Sequence, residues 1–346
     1  MMNEAAADAA TENAQKADPA QTHVAIQWQT PSPLVSCRFD PTGKYVVVGG
    51  EDYTLQRWDL ASGTAVSFKG PHDSWIRSLG FSPDGQTLYS GGYDGRLVWW
   101  PLAAEAPEPI RAVQAHDGWL RSLSVSPDGS KIATCGNDRL VKLWNAADGS
   151  LIRELTGHEH YVYTMLFHPN GEILLSGDLK GVVKQWNVAD GGHMRDFAAA
   201  PLYFANGAGQ GVDYGGVRAL SISPDGKSLA AGGLHKATNP LGAVNEPLVL
   251  LFDWEKAEVL RNHVTEGVNG MSWRLVHHPG GYLISGTGGS GGGWIMFFKP
   301  DADREFFRFQ MPNTVRDLDL HPDGIQIATA HYDRHVRISR MIPKPA

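Results

Sequence analysis

The chain has 346 residues, a formal net charge of −7 with both signs interspersed, 40 glycines and 11 tryptophans. This charge disfavours a broad electrostatic surface for nucleic acid or anionic lipid, and no apolar run approaches the roughly 18 residues of a membrane-spanning helix. The abundance of glycine and tryptophan favours short strands joined by tight turns.

The first segment, residues 1–22, is rich in alanine and acidic residues and poor in large apolar ones. This composition predicts a disordered tail, with a short docked helix as the alternative. The segment lacks a basic start followed by an apolar run, so we expect a cytoplasmic protein. The two cysteines, Cys37 and Cys135, lie far apart in apolar strand-like segments, which favours buried free thiols over a disulfide.

A fourteen-residue phrase, HDSWIRSLGFSPDG at residues 72–85, returns as HDGWLRSLSVSPDG at residues 116–129. Related phrases are VSCRFDPTG, YTMLFHPNG, RALSISPDG and RDLDLHPDG, and NGMSWRLVHHPGG is interpreted as a seventh copy with extra residues between strand and turn. Proline followed by Asp-Gly or a similar pair fixes a tight turn. The basic period is near 42 residues when these positions are taken as equivalent: Phe39, Phe81, Val125, Phe167, Ile222, Trp273 and Leu320.

Each period continues with two further strands and a fourth, as in QTLYSGGYDGRLVWWPL and GSLIRELTGH. Four short antiparallel strands per period predict an all-β fold made of β-propeller blades. Over residues 24–341 the sequence resembles the WD-repeat (WD-40) family. We expect seven blades in one domain, residues 23–346. HVAIQWQ near the start resembles a fourth strand and RHVRISRM near the end a third, so pairing of the N-terminal strand with the last blade should close the ring.

The resemblance implies a buried structural network in each blade, built from a histidine, a serine or threonine, an aspartate and a tryptophan. Blade two supplies His72, Ser90, Asp94 and Trp100, and blade three supplies His116, Thr134, Asp138 and Trp144. Blade four has His158, Ser176 and Trp186, with Lys180 where the aspartate belongs. Blade one has Asp52 and Trp58, with Val48 in place of the serine, and blade seven has Thr329 and Asp333, with Ser339 in place of the tryptophan. A recurring set that a tryptophan buries does not suit a catalytic triad, which needs an exposed nucleophile.

The central channel is predicted to be lined by the residue after the first apolar position of each inner strand: Ser36, Arg77, Arg121, Tyr163, Arg218, Asn269 and Arg316. Propeller hydrolases resemble one another in holding a cation in the channel, and four arginines would repel a divalent cation. We therefore expect no metal, no cofactor and no catalytic residue. The glycine-rich GTGGSGGG, residues 286–293, is interpreted as a flexible turn because no Lys-Ser/Thr pair or helix follows it.

These features predict a non-catalytic scaffold for protein–protein interaction, which the family resemblance also implies. The alternative is a propeller enzyme, hydrolase-like or lactonase-like, or a small-molecule sensor that uses the central channel. The expected partner is another protein, with no nucleic acid as primary ligand and no membrane, and a monomer is favoured. The predicted top-face binding residues are Arg77, Arg121, Arg218, Arg316, Trp75, Trp119, Tyr161, Tyr163, Tyr93 and Tyr332.

Two interpretations of the four arginines stay open at this point. Guanidinium groups bind carboxylate and phosphate through paired hydrogen bonds, so the arginines could hold an acidic or phosphorylated segment of a partner. Alternatively, Asp73, Asp117 and Asp317 neutralise them internally. Insertions at 199–214, 234–247 and 286–293 are expected to cluster over blades five and six beside the channel mouth, with Tyr203 and Phe204 as apolar contacts.

Overall fold

The computed structural model describes residues 16–205, 213–239 and 244–344. Of the predicted N-terminal tail, residues 1–15 lie outside the described residues. Pro19–Gln21 form a 3₁₀ turn, the backbone N–H of Asp18 donates to the carbonyl of Met341 at 2.7 Å, and the first strand begins at Thr22. Within the described ranges, no helix has the length and apolar character needed to span a membrane.

The described strands form seven four-stranded antiparallel sheets and one two-stranded hairpin. Blades one to four follow the chain in order. Blade one consists of β2 (Leu34–Phe39), β3 (Tyr45–Gly50), β4 (Leu55–Asp59) and β5 (Ala65–Phe68); blade two of β6 (Ile76–Phe81), β7 (Thr87–Gly92), β8 (Arg96–Pro101) and β9 (Arg111–Gln114); blade three of β10 (Leu120–Val125), β11 (Lys131–Gly136), β12 (Val141–Asn145) and β13 (Leu151–Leu155); blade four of β14 (Val162–Phe167), β15 (Ile173–Asp178), β16 (Val182–Asn187) and β17 (His193–Ala198).

A 3₁₀ turn, Ala200–Leu202, and the hairpin β18 (Tyr203–Ala205) and β19 (Asp213–Gly215) precede blade five. Blade five consists of β20 (Ala219–Ile222), β21 (Ser228–Asn239), β22 (Val244–Asp253) and β23 (Val259–Val264); blade six of β24 (Met271–His278), β25 (Tyr282–Gly289), β26 (Gly292–Phe298) and β27 (Glu305–Met311); blade seven of β28 (Val315–Leu320), β29 (Gln326–His331), β30 (His335–Met341) and β1 (Thr22–Gln29).

The ring closes through blade seven, as predicted. Strand β1 pairs antiparallel with β30, so one sheet contains both ends of the propeller. The first strands of neighbouring blades contact one another around a complete circle, from β2 through β28 and back to β2. Closure of this kind leaves no free radial edge between blades. The prediction of a seven-bladed all-β propeller is therefore confirmed.

The buried apolar residues of the described ranges form seven clusters, and each lies between two adjacent blades. Strands in the middle of a blade are buried on both faces, which explains their short continuous apolar runs in the sequence. Cys37 and Cys135 are free thiols within these clusters, as expected. Burial raises the pKa of both thiols well above the ordinary value.

The position assigned to blade six in the repeat was wrong. The residue equivalent to Phe39 is His277 and not Trp273, because His277 pairs with Leu283 just before the turn, as Phe39 pairs with Val46. Strand β24 is eight residues long, so the additional residues belong to the strand itself.

The glycine-rich segment 286–293 forms paired strands around the two residues 290 and 291, which corrects the expected flexible turn. Its glycines allow the first strand of blade seven to approach. A Cβ on Gly288 would lie 2.1 Å from the carbonyl oxygen of Val315, and one on Gly293 would lie 2.0 Å from that of Asn313. These distances exclude any larger side chain without a shift of the backbone.

The other two insertions extend blades four and five. Strands β18 and β19 contact β21, and the carbonyl of Asn245 in β22 accepts the N–H of Gly270, which precedes β24. The Tyr203 hydroxyl donates to Asp213 at 2.6 Å and accepts from Lys180 at 2.5 Å, so this residue makes polar contacts where an apolar one was expected. Phe204 is exposed. Residues 206–212 and 240–243 of these insertions lie outside the described residues.

Candidate functional site

The inner strand of each blade carries an irregularity near its start that turns one side chain toward the channel mouth. In blade two the pairing shifts between Ile76 and Ser78, which leaves Arg77 as a bulge. The same shift occurs in blades one, three, four, six and seven, and in blade five the pairing begins after Arg218. Bulges redirect side chains out of the regular alternation. The residues at this position are Val35, Arg77, Arg121, Tyr163, Arg218, Trp273 and Arg316.

Two of the seven predicted channel residues were wrong. Ser36 is fully buried, and its hydroxyl donates to the carbonyl of Ile76 in the neighbouring blade at 2.7 Å. Strand β2 begins with two apolar residues, Leu34 and Val35, and the bulge falls on the second of them, one residue before Ser36. In blade six the misplaced alignment selected Asn269, which precedes the strand, whereas the bulge falls on Trp273.

Arg77 and Arg316 share one side of the mouth. The Arg77 guanidinium carbon lies 5.9 Å from the ring centroid of Trp273, although blades two and six are not neighbours, so these side chains meet across the channel. Arg316 forms an ion pair with Glu51 at 2.5 Å, and both side chains are about one-fifth exposed, at 23% and 19%. A small pocket of about 90 Å³ lies here, lined by Val35, Trp75, Arg77, Tyr93, Trp273 and Arg316.

Arg121 and Arg218 share the other side of the mouth. Their guanidinium carbons lie 4.7 and 3.8 Å from the ring centroid of Tyr163. The Nε of Arg121 donates to Asn137 at 2.8 Å, and the Nε of Arg218 donates to the carbonyl of Gly215 at 2.9 Å. Burial, together with the positive charges of Arg121 and Arg77, lowers the pKa of Arg218 from its usual value.

Aromatic side chains connect the two sides. Tyr93 stacks between the two tryptophans of the repeated phrase, with its ring centroid 6.0 Å from Trp75 and 4.3 Å from Trp119. Trp75, Trp119 and Tyr161 occupy equivalent positions two residues before the bulge, and all three are exposed. Tyr332 is 55% exposed and lies 4.9 Å from the guanidinium of Arg316. The predicted arginines and most of the predicted aromatic residues thus form one surface around the mouth.

The three aspartates expected to neutralise the arginines have other roles. Asp73 pairs with Arg96 at 2.9 Å, and Asp317 pairs with Arg38 at 2.7 Å. The backbone N–H of Asp117 donates to Asp138, and the carboxylate of Asp117 makes no ion pair within the described ranges. Internal neutralisation by these residues is therefore contradicted. Within the same ranges, Arg316 is the one member of the four that has a carboxylate partner, and that partner is Glu51.

Blades two and three contain the four-residue networks. In blade three the indole N–H of Trp144 donates to the Thr134 hydroxyl at 2.8 Å, that hydroxyl bonds Nε2 of His116 at 2.8 Å, and Nδ1 of His116 donates to Asp138 at 2.9 Å. His72, Ser90, Asp94 and Trp100 repeat this chain in blade two at 2.8–2.9 Å. Such buried and fully paired chains fix the packing of a blade.

Blade four also has a complete network, which the sequence analysis missed. Nδ1 of His158 donates to Asp178 at 2.9 Å, and Ser176 joins Nε2 of His158 to the indole of Trp186. Asp178 is the last residue of β15, so it reaches the histidine from two positions before the place where an aspartate was expected. Lys180, which occupies that place, instead pairs with Asp213 on the surface.

Blades one and seven do not assemble this network from the predicted residues. Asp52 accepts hydrogen bonds from Thr54, while Trp58 stacks on Trp28 at 5.0 Å and its indole N–H has no partner within the described ranges. In blade seven, Thr329 bonds His331 at 2.8 Å, and Asp333 forms a two-pronged ion pair with Arg337. Ser339 is buried, and its hydroxyl has no partner in the described part of the chain.

The lower part of the channel holds a cavity of about 420 Å³ whose polar lining includes Arg38, Arg274 and Asp319. Burial lowers the pKa of Arg274 to about 10 and raises that of Asp319. Arg38 pairs with Asp317 at 2.7 Å, and the positive charges of Arg38 and Arg274 oppose the effect of burial on the pKa of Asp319. The described residues contain no group of three or more His, Cys, Asp or Glu side chains that could hold a metal ion.

Two residues of the mouth, Glu51 and Asn137, were missed by the sequence analysis. They occupy equivalent positions directly after the second strand of blades one and three, where blades two and seven have Tyr93 and Tyr332. All four contact one of the arginines. The residue immediately after the second strand of each blade could therefore have identified these two members of the mouth from the sequence.

The comparison with protein families agrees with these repeats. A family model described as "WD domain, G-beta repeat" matches residues 25–59, 64–101, 107–145, 149–187 and 307–338, which together make up more than half of the chain. Each matched segment begins in the fourth strand of one blade or up to four residues before it, and ends in the third strand of the next. Blades five and six, which carry long extensions, fall mostly outside the matches. A comparison with curated proteins finds no match.

Proposed function

Because the chain belongs to the WD-repeat family, we propose that it is an interaction scaffold that binds an acidic or phosphorylated segment of another protein. The binding surface is the channel mouth formed by the bulge arginines and their aromatic neighbours. WD-repeat propellers are typically non-catalytic scaffolds, and this fold supports that general role. A cytoplasmic location stays a prediction from the sequence.

The observation that carries the proposal is the charge at the mouth. Arg77, Arg121 and Arg218 converge there, and none of them has a carboxylate within ion-pairing distance in the described ranges. Like charges about 10 Å apart repel by ~0.4 kcal/mol in water and ~1.7 kcal/mol at the effective dielectric of a protein surface. An anionic ligand relieves this repulsion, and arginines surrounded by aromatic rings are typical of residues that dominate protein interfaces.

The aromatic contacts also limit the entropy that binding costs. Arg121 lies 4.4 Å from the Trp119 ring centroid and donates to the amide oxygen of Asn137 at 2.8 Å, so its guanidinium is already oriented. Arg218 is held in the same way by Tyr163 and the carbonyl of Gly215. A preorganised surface loses less side-chain freedom when a ligand binds.

The test compares partner capture by the parent protein and by the double variant Arg77→Glu/Arg121→Glu. A control variant, Arg153→Glu/Lys256→Glu, makes the same change in net charge at exposed positions away from the mouth. We expect the mouth variant to keep the parent melting temperature and to lose at least tenfold in affinity for the captured partner, about 1.4 kcal/mol, with a weaker dependence on salt. Equal capture by the parent and the mouth variant would place binding elsewhere.

A further inference from the structure

The two sides of the mouth differ in net charge. On one side, Glu51 neutralises one of the two guanidiniums of Arg77 and Arg316, which leaves a net charge of about +1. On the other side, Arg121 and Arg218 have no carboxylate partner within the described ranges, which leaves about +2. The two sides should therefore prefer anions of different charge.

The available hydrogen-bond donors support this division. Neither terminal amino group of Arg218 donates a hydrogen bond to the described residues. The guanidinium donates only through Nε, to the carbonyl of Gly215. Arg121 uses Nε and Nη1, which leaves Nη2 unassigned. The guanidinium carbons lie 4.7 and 3.8 Å from the ring centroid of Tyr163, so they are at most 8.5 Å apart. One tetrahedral oxyanion can bridge two guanidiniums across such a span.

The side with Glu51 has a different shape. Its pocket of about 90 Å³ has aromatic walls, Trp75, Tyr93 and Trp273, and two guanidiniums. Glu51 already places one carboxylate on Arg316. A second carboxylate can bind Arg77 or displace Glu51, whereas the carboxylate of Glu51 repels a dianion more strongly than a monoanion.

We propose that the mouth contains two anion subsites, one at Arg121 and Arg218 for a dianionic phosphoryl group and one at Arg77 and Arg316 for a single carboxylate. This inference rests on the proposed function and specifies its ligand as a phosphorylated residue with an acidic residue nearby. The stacked rings of Trp75, Tyr93 and Trp119 lie between the subsites. The distances between successive ring centroids, 6.0 and 4.3 Å, together correspond to about three residues of extended chain.

The test uses synthetic peptides with blocked ends, made of glycine and alanine, that carry phosphoserine and glutamate three residues apart. Matched peptides replace phosphoserine by serine, glutamate by glutamine, or both. Their affinities for the parent protein and for Arg218→Gln, Arg316→Gln and Glu51→Gln are measured by calorimetry, and the melting temperature of each variant is recorded as the folding control.

We expect Arg218→Gln to reduce the affinity for the doubly charged peptide about tenfold and to abolish the preference for phosphoserine over serine. Arg316→Gln should abolish the preference for glutamate over glutamine and leave the phosphate preference intact. Glu51→Gln should strengthen glutamate binding about threefold, because it removes the internal competitor.

Other outcomes separate the two levels of the proposal. If each arginine variant weakens both preferences equally, the division into subsites is wrong, while an anion-binding mouth survives. If anionic peptides bind no better than the neutral peptide, or none binds at millimolar concentration, both the subsites and the proposed anion-binding function are overturned.

Discussion

Asp178 should contribute far more to stability than Lys180, although the family pattern places an aspartate at position 180. Asp178 is 2% exposed and accepts hydrogen bonds from Nδ1 of His158 and from the backbone N–H groups of Lys180 and Val182, at 2.9–3.0 Å. Replacement by alanine leaves the buried N–H of His158 unpaired, at a cost of ~1–3 kcal/mol, and removes two further bonds worth ~0.5–1.5 kcal/mol each. We expect a total loss near ~3 kcal/mol.

Lys180→Ala is the matched control in the same turn. The Lys180 side chain is 27% exposed and pairs with Asp213, which is 39% exposed, and surface pairs of this kind contribute ~0–1 kcal/mol. The free energy of unfolding of each variant is measured by urea titration monitored by tryptophan fluorescence. A cost below ~0.5 kcal/mol for Asp178→Ala, or an equal cost for Lys180→Ala, would contradict the role assigned to Asp178.

Three further predictions concern other blades. Asp138→Ala should cost ~2–4 kcal/mol of unfolding free energy because it leaves His116 unpaired, whereas Ser339→Ala should cost below ~0.5 kcal/mol because it removes a hydroxyl without a described partner; equal costs in urea titrations would contradict the assignment of the networks. Burial holds the pKa of His331 at about 4. The unfolded chain therefore takes up a proton first as pH falls below ~6.5, and the free energy of unfolding should decline by up to ~3 kcal/mol toward pH 4. His331→Gln should reduce this decline relative to the control His160→Gln, and parallel curves of unfolding free energy against pH from 7 to 4 would be evidence against it. Gly288→Ala should cost ~1–3 kcal/mol and lower the melting temperature, because its Cβ would meet the carbonyl of Val315; an unchanged melting temperature would show that blade seven can move away.

The fold could be predicted from the sequence because each blade repeats its own turn chemistry. Proline and glycine in phrases such as SPDG fix the first turn of a blade, and Gly85 takes a φ of +68°, which favours glycine. In blade six the equivalent position was misassigned because the turn, HPGG, follows an eight-residue strand. Its glycines at 286–293 resembled a loop because glycine is required there by the close approach of blade seven, which the local sequence does not show.

The site could be predicted only in part. The recurrence of arginine in WIRSL, WLRSL, VRAL and VRDL selected all four guanidiniums of the mouth. Charge pairing was predicted poorly because it depends on which blade each side chain faces. Asp317 pairs with Arg38 of the neighbouring blade, whereas Glu51, at a position whose residue type differs from blade to blade, pairs with Arg316. The bulge on Val35 and the position of Asp178 also depend on strand register, which residue types alone do not specify.

The central claim is that an acidic or phosphorylated segment of a partner binds at the channel mouth, and photocrosslinking tests it most directly. A benzophenone amino acid replaces Trp119, which is 44% exposed at the mouth, or Ile152, which is 45% exposed on the outer strand β13. After irradiation in native lysate, mass spectrometry identifies the crosslinked segment. We predict that position 119 captures a segment rich in aspartate, glutamate or phosphorylated residues, and that Arg77→Glu/Arg121→Glu abolishes the crosslink. Capture of neutral or basic segments at position 119, or a specific partner crosslinked only at position 152, would contradict the claim.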